Sequence, residues 1–376
     1  MVASPTRATL EAVARRSVAV ILANQSSSGA YVASPNFAAY GYCWLRDGAF
    51  IADAMSRAGQ VASAEAFFGW CARVLVDRRG QVEALIARRA AGETIPGGDF
   101  LHTRYTLDGG ESDAPWENFQ LDGYGAWLWA LGVHRRRHRR PILPFLAGAS
   151  LSARYVATFH DYPTYDWWEE NPEQRHTSTL AAMAAGLRAV AGWPEIEETL
   201  RARARAEAAT ITNAIRSDAA KRGHYGKWLG SDEVDASLLA MAAPFDVVAI
   251  DDSFMVATAR RIEADLVHAG GVHRYRGDTF YGGGEWLLLA GLLGSYRLRR
   301  GDTRSAIDQL EWIAAHATGD GDLPEQVADH LLDPGSRQGW LDRWGPVATP
   351  LLWSHAMFLT LALETDTFTA QAVPTT

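Results

Sequence analysis

Residues 40–59 read YGYCWLRDGAFIADAMSRAG. Tyr40 to Gly48 is aromatic, charged and glycine-containing, whereas 47–58 carries apolar residues at helical spacing. A loop rich in binding groups therefore runs straight into a helix. The arrangement returns in APWENFQLDGYG (114–125), YDWWEEN (165–171), HRYRGDTFYGGGEW (273–286) and GDLPEQV (321–327), each read as preceding a helix. Loops on a rigid scaffold are where binding groups collect.

Working outward, helical periodicity dominates the chain. It predicts about twelve helices, near 5–24, 47–58, 62–78, 121–135, 141–159, 176–191, 195–221, 232–242, 251–268, 285–299, 302–317 and 346–364. Ser4 is the expected cap of the first, with Pro5 in its first turn. Only VEALIARR and RYTLDGG, between 82 and 110, read as short strands, which excludes a βαβ architecture. No Pro/Ser/Gly-rich linker divides the chain and no repeat is visible. Paired helices closed in a ring, with one funnel formed by the loops, account for the pattern, and the expectation is an all-α protein of one domain over 1–376.

With 44 acidic against 36 basic side chains the net charge is −8, which argues against a nucleic-acid partner. The basic run HRRRHRR (134–140) ends an apolar helix, where cations suit the C-terminus. Two cysteines give no disulfide framework. No segment approaches the ~20 apolar residues of a membrane span, and the apolar run from Val18 to Ala23 is too short for a signal peptide. The expected setting is cytoplasmic, without a membrane partner.

Trp and Tyr beside Asp, Glu and Arg suit sugars, because ring faces stack on C–H faces while charged groups hold hydroxyls. Trp127 and Trp129 lie inside an apolar helix and read as core. Trp44, Trp116, Trp167, Trp168 and Trp286 lie in the acidic loops, where pocket and packing roles stand equal. Glycoside hydrolysis needs two carboxyl groups, one protonated and one ionised. Glu169, after two tryptophans and beside Glu170, has the surroundings that raise a carboxyl pKa. Glu325, in a Gly/Asp-rich loop, is expected to be more solvated and ionised. On residue types alone both read more readily as surface charge, as acidic loop residues usually are. GGGE (282–285) lacks the Lys-Ser/Thr of a phosphate loop, GDGD (319–322) has too few calcium ligands, and His134 and His138 sit among arginines that repel a cation. No cofactor and no metal are expected.

Together these loops resemble glycoside hydrolase family 15, the glucoamylase-like enzymes, in order from Tyr40 to His355. The motif segments are Tyr40-Gly41-Tyr42-Cys43-Trp44-Leu45-Arg46-Asp47, then Trp116 with Gln120, Asp122 and Gly123, then Tyr165, Asp166, Trp168, Glu169 and Glu170. Arg274, Tyr275, Asp278 and Tyr281 follow, then Pro324-Glu325-Gln326 and WSHA at 353–356. The resemblance implies an (α/α)6 barrel, with Glu169 as general acid and Glu325 as general base. It implies Arg46 and Asp47 as the grip on the terminal glucose, with Trp44 and Trp116 against the substrate. Asp166, Trp168, Glu170, Arg274, Tyr275 and Tyr281 complete the implied binding set, Glu170 and Arg274 on the leaving-group side. Glu173, in a second Pro-Glu-Gln, lies four residues past the acid on the same loop and is set aside. Phe280 departs from a frequent tyrosine, leaving Tyr40, implied to lie beside the base, freer to assist it or simply to orient water.

The reading is then an inverting exo-acting α-glucosidase, and the chain leaves no room for the starch-binding or β-sandwich modules many members carry. A cytoplasmic enzyme without a polymer-binding module should meet short oligosaccharides, hence isomaltose and short α-1,6 glucooligosaccharides. Maltooligosaccharide hydrolysis and trehalose hydrolysis are the runners-up, and a regulatory sugar-binding barrel is the non-hydrolytic alternative.

Overall fold

The structure is a computed structural model that describes residues 5–112 and 114–369. Its helices, in chain order, are α1 (Arg7–Ala23), α2 (Leu45–Arg57), α3 (Val61–Asp77), α4 (Arg79–Ala90), α5 (Asp122–His138), α6 (Leu146–Phe159) and α7 (Thr177–Ala191). Then come α8 (Glu198–Arg222), α9 (Ser253–Leu266), α10 (Leu287–Arg299), α11 (Thr303–Ala315), α12 (Arg337–Trp344) and α13 (Leu352–Glu364). Six two-residue strands form three antiparallel pairs: β1 (Cys43–Trp44) with β2 (Arg104–Tyr105), β3 (Val267–His268) with β4 (Gly271–Val272), and β5 (Glu285–Trp286) with β6 (Gln326–Val327).

The inner ring closes through α2, α5, α7, a 3-10 segment at Ala236–Met241, α10 and α13, which returns to α2. Outside it α3 packs on α2, α6 on α5, α8 on α7, α9 on the 3-10 segment, α11 on α10 and α1 on α13. This is the expected (α/α)6 barrel. The inner helices are buried along nearly their whole length, whereas outer helices such as α8 and α11 bury one stripe. The closest inner approach needs glycine: a Cβ on Gly125 would lie 2.5 Å from the Ala182 carbonyl oxygen, and one on Gly186 2.3 Å from that of Gly125.

Four local expectations change. Helix α1 starts at Arg7, capped by the Thr6 hydroxyl, which accepts from the Thr9 N–H; Ser4 lies outside the described residues. VEALIARR is not a strand but part of α4, because Val82 and Leu85 repeat at helical spacing and are its buried positions. RYTLDGG does supply β2. The segment 232–242 is not an α-helix: Asp235 caps it at one end, and at the other Pro244 lacks an N–H and disfavours helical geometry just before it, leaving six residues of 3-10 helix. Finally, GDLPEQV runs into β6 rather than directly into a helix, and α12, not anticipated, follows it.

Candidate active site

The loops at one end of the barrel enclose a cavity of about 340 Å³. Its floor comes from the start of α2. Arg46 Nη1 donates to Gln120 Oε1 (2.8 Å) and Asp122 Oδ2 (3.0 Å), and its Nε lies 3.4 Å from Asp47 Oδ2. Both floor residues are buried, and the Arg46 Nε and Asp47 Oδ2 atoms have no hydrogen-bond partner among the described residues. Burial pushes the Asp47 carboxyl up to about 6 in spite of Arg46.

Two more carboxyls line this cavity. Glu169 Oε1 accepts from Trp44 Nε1–H at 2.6 Å and sits 3.9 Å from Arg46 Nη2. Burial raises its pKa, while Arg46 and the Trp44 N–H hold the rise back. Glu325 Oε1 accepts from the Tyr40 hydroxyl at 3.0 Å. The Tyr40 and Trp44 rings meet edge to face, centroids 5.7 Å apart, so one aromatic pair carries both carboxyls as hydrogen-bond partners. Glu325 is not the solvated group expected from its loop. It is 3% exposed, and burial pushes it up to about 8. The reason is tertiary: its loop is pulled inward by α13, where Ser354 Oγ donates to the Pro324 carbonyl (2.8 Å) and His355 Nε2 accepts from the Leu323 N–H (3.0 Å). The Glu325 N–H itself donates to the Ala348 carbonyl (3.0 Å).

The Glu169–Glu170 loop is built by Asp166, whose Oδ1 accepts from the N–H groups of Trp168 and Glu170, both at 2.9 Å. Glu169 takes a left-handed φ of 67°. Beside it Glu170 accepts from Tyr275 Oη–H (2.5 Å) and Arg274 Nη2–H (3.3 Å). Arg274 is fixed by Asp278 and lies 5.2 Å from each of the Trp168, Phe280 and Trp286 ring centroids.

The structure thus brings Tyr40, Trp44, Arg46, Asp47, Trp116, Trp168, Glu169, Glu170, Arg274 and Glu325 to one cavity, together with Trp167 and Trp286. Trp127 and Trp129 are core, as expected. Asp166 and Tyr275 stand behind the wall as partners of Glu170 rather than in it. Tyr281 does not line the cavity; its hydroxyl donates to the Gly345 carbonyl (3.0 Å), because a φ of 51° turns it away from the loop's cavity side. Glu173 is exposed. Burial and the charges of Glu325 and Glu169 push the Tyr40 pKa well above the ordinary phenol value, so the phenol keeps its proton through a working pH range.

Sequence reasoning missed three contributors. Arg104, buried on β2, places its guanidinium 3.6 Å from the Trp116 ring centroid and 4.2 Å from that of Tyr42. Lys227, buried in YGKW, lies 3.7 Å from Asp166, 3.5 Å from Asp235 and 3.1 Å from the Tyr275 ring centroid. Its loop has the same aromatic, glycine and charge mixture as the others, which was a usable signal. Trp340, Arg343 and Trp344 of α12 also line the cavity.

A helical double ring with two carboxyls, Glu325 buried and Glu169 half-buried, in one aromatic cavity fits a sugar-cleaving enzyme of the glycoside hydrolase class. Residues 7–296 match the family model Glycosyl hydrolases family 15, and the chain belongs to that family. It is 48% identical over 359 residues to an isomaltose glucohydrolase of Kribbella flavida, covering 95% of this chain and 93% of that one. A solved wild-type glycosidase superposes with a TM-score of 0.94 at 47% identity, over 96% of this chain and 98% of that one. The glucoamylase of Saccharomycopsis fibuligera shares the fold, with a TM-score of 0.75 at 14% identity over 97% of each chain. No helix among the described residues is long and apolar enough to cross a membrane.

Proposed function

We propose that this glycoside hydrolase is an inverting exo-acting α-glucosidase that releases β-glucose from isomaltose and short α-1,6 glucooligosaccharides. The observation that carries the reading is the pair Glu169 and Glu325, lining one cavity and tied to the two rings of Tyr40 and Trp44. Glu169 gives its proton to the glycosidic oxygen as the C1–O bond breaks. Glu325 takes a proton from the water whose oxygen bonds C1 from the opposite face. Tyr40 stays protonated, donates to Glu325 and orients that water. Arg46 and Asp47 hold the terminal glucose against Trp44 and Trp116, while Glu170 and Arg274 meet the second sugar. Asp166, Tyr275 and Lys227 position Glu170.

The small volume and the α12 aromatics favour short chains over polymers, and the name of the 48% identical relative favours isomaltose among them. The chain acts as a single catalytic domain in the cytoplasm on this reading. Proton NMR of the first product from isomaltose tests it: β-glucose is expected, with carboxyl groups ~6.5–9.5 Å apart to admit the water. Initial α-glucose overturns the inverting mechanism, and faster turnover of maltose or trehalose than of isomaltose overturns the linkage.

A further inference from the structure

Behind the wall that carries Trp286 lies a fully buried carboxyl. Glu285, first residue of β5, is 0% exposed. Among the described residues no arginine or lysine forms a salt bridge with it; its partner is His330, whose Nδ1 lies 2.9 Å from Oε1. Oε2 is buried with no hydrogen-bond partner at all. A carboxylate in this position ordinarily is paired with positive charge or coordinates a metal.

The surroundings are arranged around that carboxylate. The β3–β4 hairpin turns through Ala269 and Gly270, both at positive φ (47° and 100°), which is the geometry of a two-residue hairpin turn. It sets His268 opposite Gly271. Gly271 has no side chain where a Cβ would fall 2.2 Å from the Glu285 carboxyl carbon, so the carboxyl lies flat against the hairpin. The rings of His268 and His330 lie 4.0 Å apart, and the donor atoms of His268, Glu285 and His330 all fall within 4.8 Å of one another. His268 is exposed and the His330 side chain is 39% exposed, which leaves a path from solvent.

We infer that His268, Glu285 and His330 form a binding site for one divalent transition-metal ion of the zinc class. Two imidazoles and one carboxylate suit zinc; calcium and magnesium ask for more oxygen donors. Ligand bonds of ~2.0–2.2 Å set donors ~3.3 Å apart in a tetrahedron, so the exposed His268 ring closes by a side-chain rotation while water takes the fourth position. The ion joins β3–β4 to the segment that follows β6. It thereby clamps the strand pair that presents Trp286 and continues from Glu325, without entering the cavity. Its role is structural. A simple His330–Glu285 hydrogen bond, by contrast, makes no use of His268.

Tag-free full-length protein, stripped with EDTA and dialysed, is titrated with ZnCl2 in a calorimeter, with Co2+ absorption as a second probe. One equivalent is expected, with a Tm that climbs with the logarithm of free Zn2+ and visible bands of low-coordinate Co2+. His268→Ala and His330→Ala, both at the surface, should each lose that equivalent or weaken it at least ten-fold, while His268→Ala keeps parental kcat on isomaltose. Absence of binding, or binding and Co2+ bands unchanged in both variants, overturns the site.

Discussion

Trp44→Phe tests whether Glu169 holds the proton the reaction uses. The indole N–H donates to Glu169 Oε1 at 2.6 Å and favours the ionised carboxylate. A hydrogen bond to a charged group is worth ~1.5–3 kcal/mol and a pKa unit ~1.4 kcal/mol, so its loss raises Glu169 by ~1–2 units. Arg46 and Gln120 remain to favour the anion, which places the shift near the lower figure. The two carboxyls titrate as a pair. Burial pushes Glu325 up to about 8 and also raises Glu169, where Arg46 and the indole hold the rise back. The reactive state carries the proton on Glu169 and leaves Glu325 ionised, and the two limbs of kcat/KM report the pair. Raising Glu169 keeps its proton to higher pH, so the limb that Glu169 governs moves up by about one unit while the other stays. The assay is initial-rate isomaltose hydrolysis across pH, with circular dichroism to check the fold. Limbs superimposable on the parent's, whatever the amplitude, refute Glu169 as the titrating acid.

Glu169→Gln and Glu325→Ala should each lower kcat by ~10²–10⁴-fold, whereas Glu173→Gln should stay within a few-fold; a dead Glu173 variant beside an active Glu325 variant reverses the assignment. Tyr40→Phe should reduce kcat without removing an ionisation from the pH profile, since burial and the carboxyl charges keep the phenol protonated; loss of an alkaline limb in that variant counts against the orienting role. Lys227→Met leaves Asp166 and Asp235 buried without their cation and should cost about 3–5 kcal/mol in denaturant unfolding. Adding Asp166→Asn should recover part of that loss, and strictly additive losses would mean the two groups are not coupled.

What was legible in the sequence was whatever lay contiguous. Tyr40, Trp44, Arg46 and Asp47 share one loop and the first turn of α2, so their joint role followed from a single stretch. The ring of helices followed from periodicity, because inner helices buried on all sides still begin and end at loops of distinctive composition. Groups that act through a partner far along the chain were not legible. Arg104 reaches Trp44 and Trp116 only because β2 pairs with β1. Glu325 looked solvated in its own loop and is dry because α13, some thirty positions on, binds the Pro324 and Leu323 backbone. Tyr281 shares a motif with Arg274 and Tyr275 yet leaves the cavity, since motif membership does not record a φ of 51°.

The opposed tasks of Glu169 and Glu170 explain the backbone between them. One neighbour must reach Trp44 and Arg46 on the floor, the next Tyr275 and Arg274 on the far wall. The chain achieves this with Glu169 at φ 67° and Asn171 at φ 49°, a conformation that costs about 1–3 kcal/mol per non-glycine residue. A glycine at either place would relax the turn, but at 169 it would remove the carboxyl. The offset comes from Asp166, which accepts two N–H groups through Oδ1 while its own N–H donates to the Glu170 carbonyl (3.1 Å). Burial lifts Asp166 up to about 7, and Lys227 opposes the lift. The lysine therefore acts two steps from the sugar: it keeps Asp166 an acceptor, Asp166 holds the strained turn, and the turn aims the two carboxyls apart.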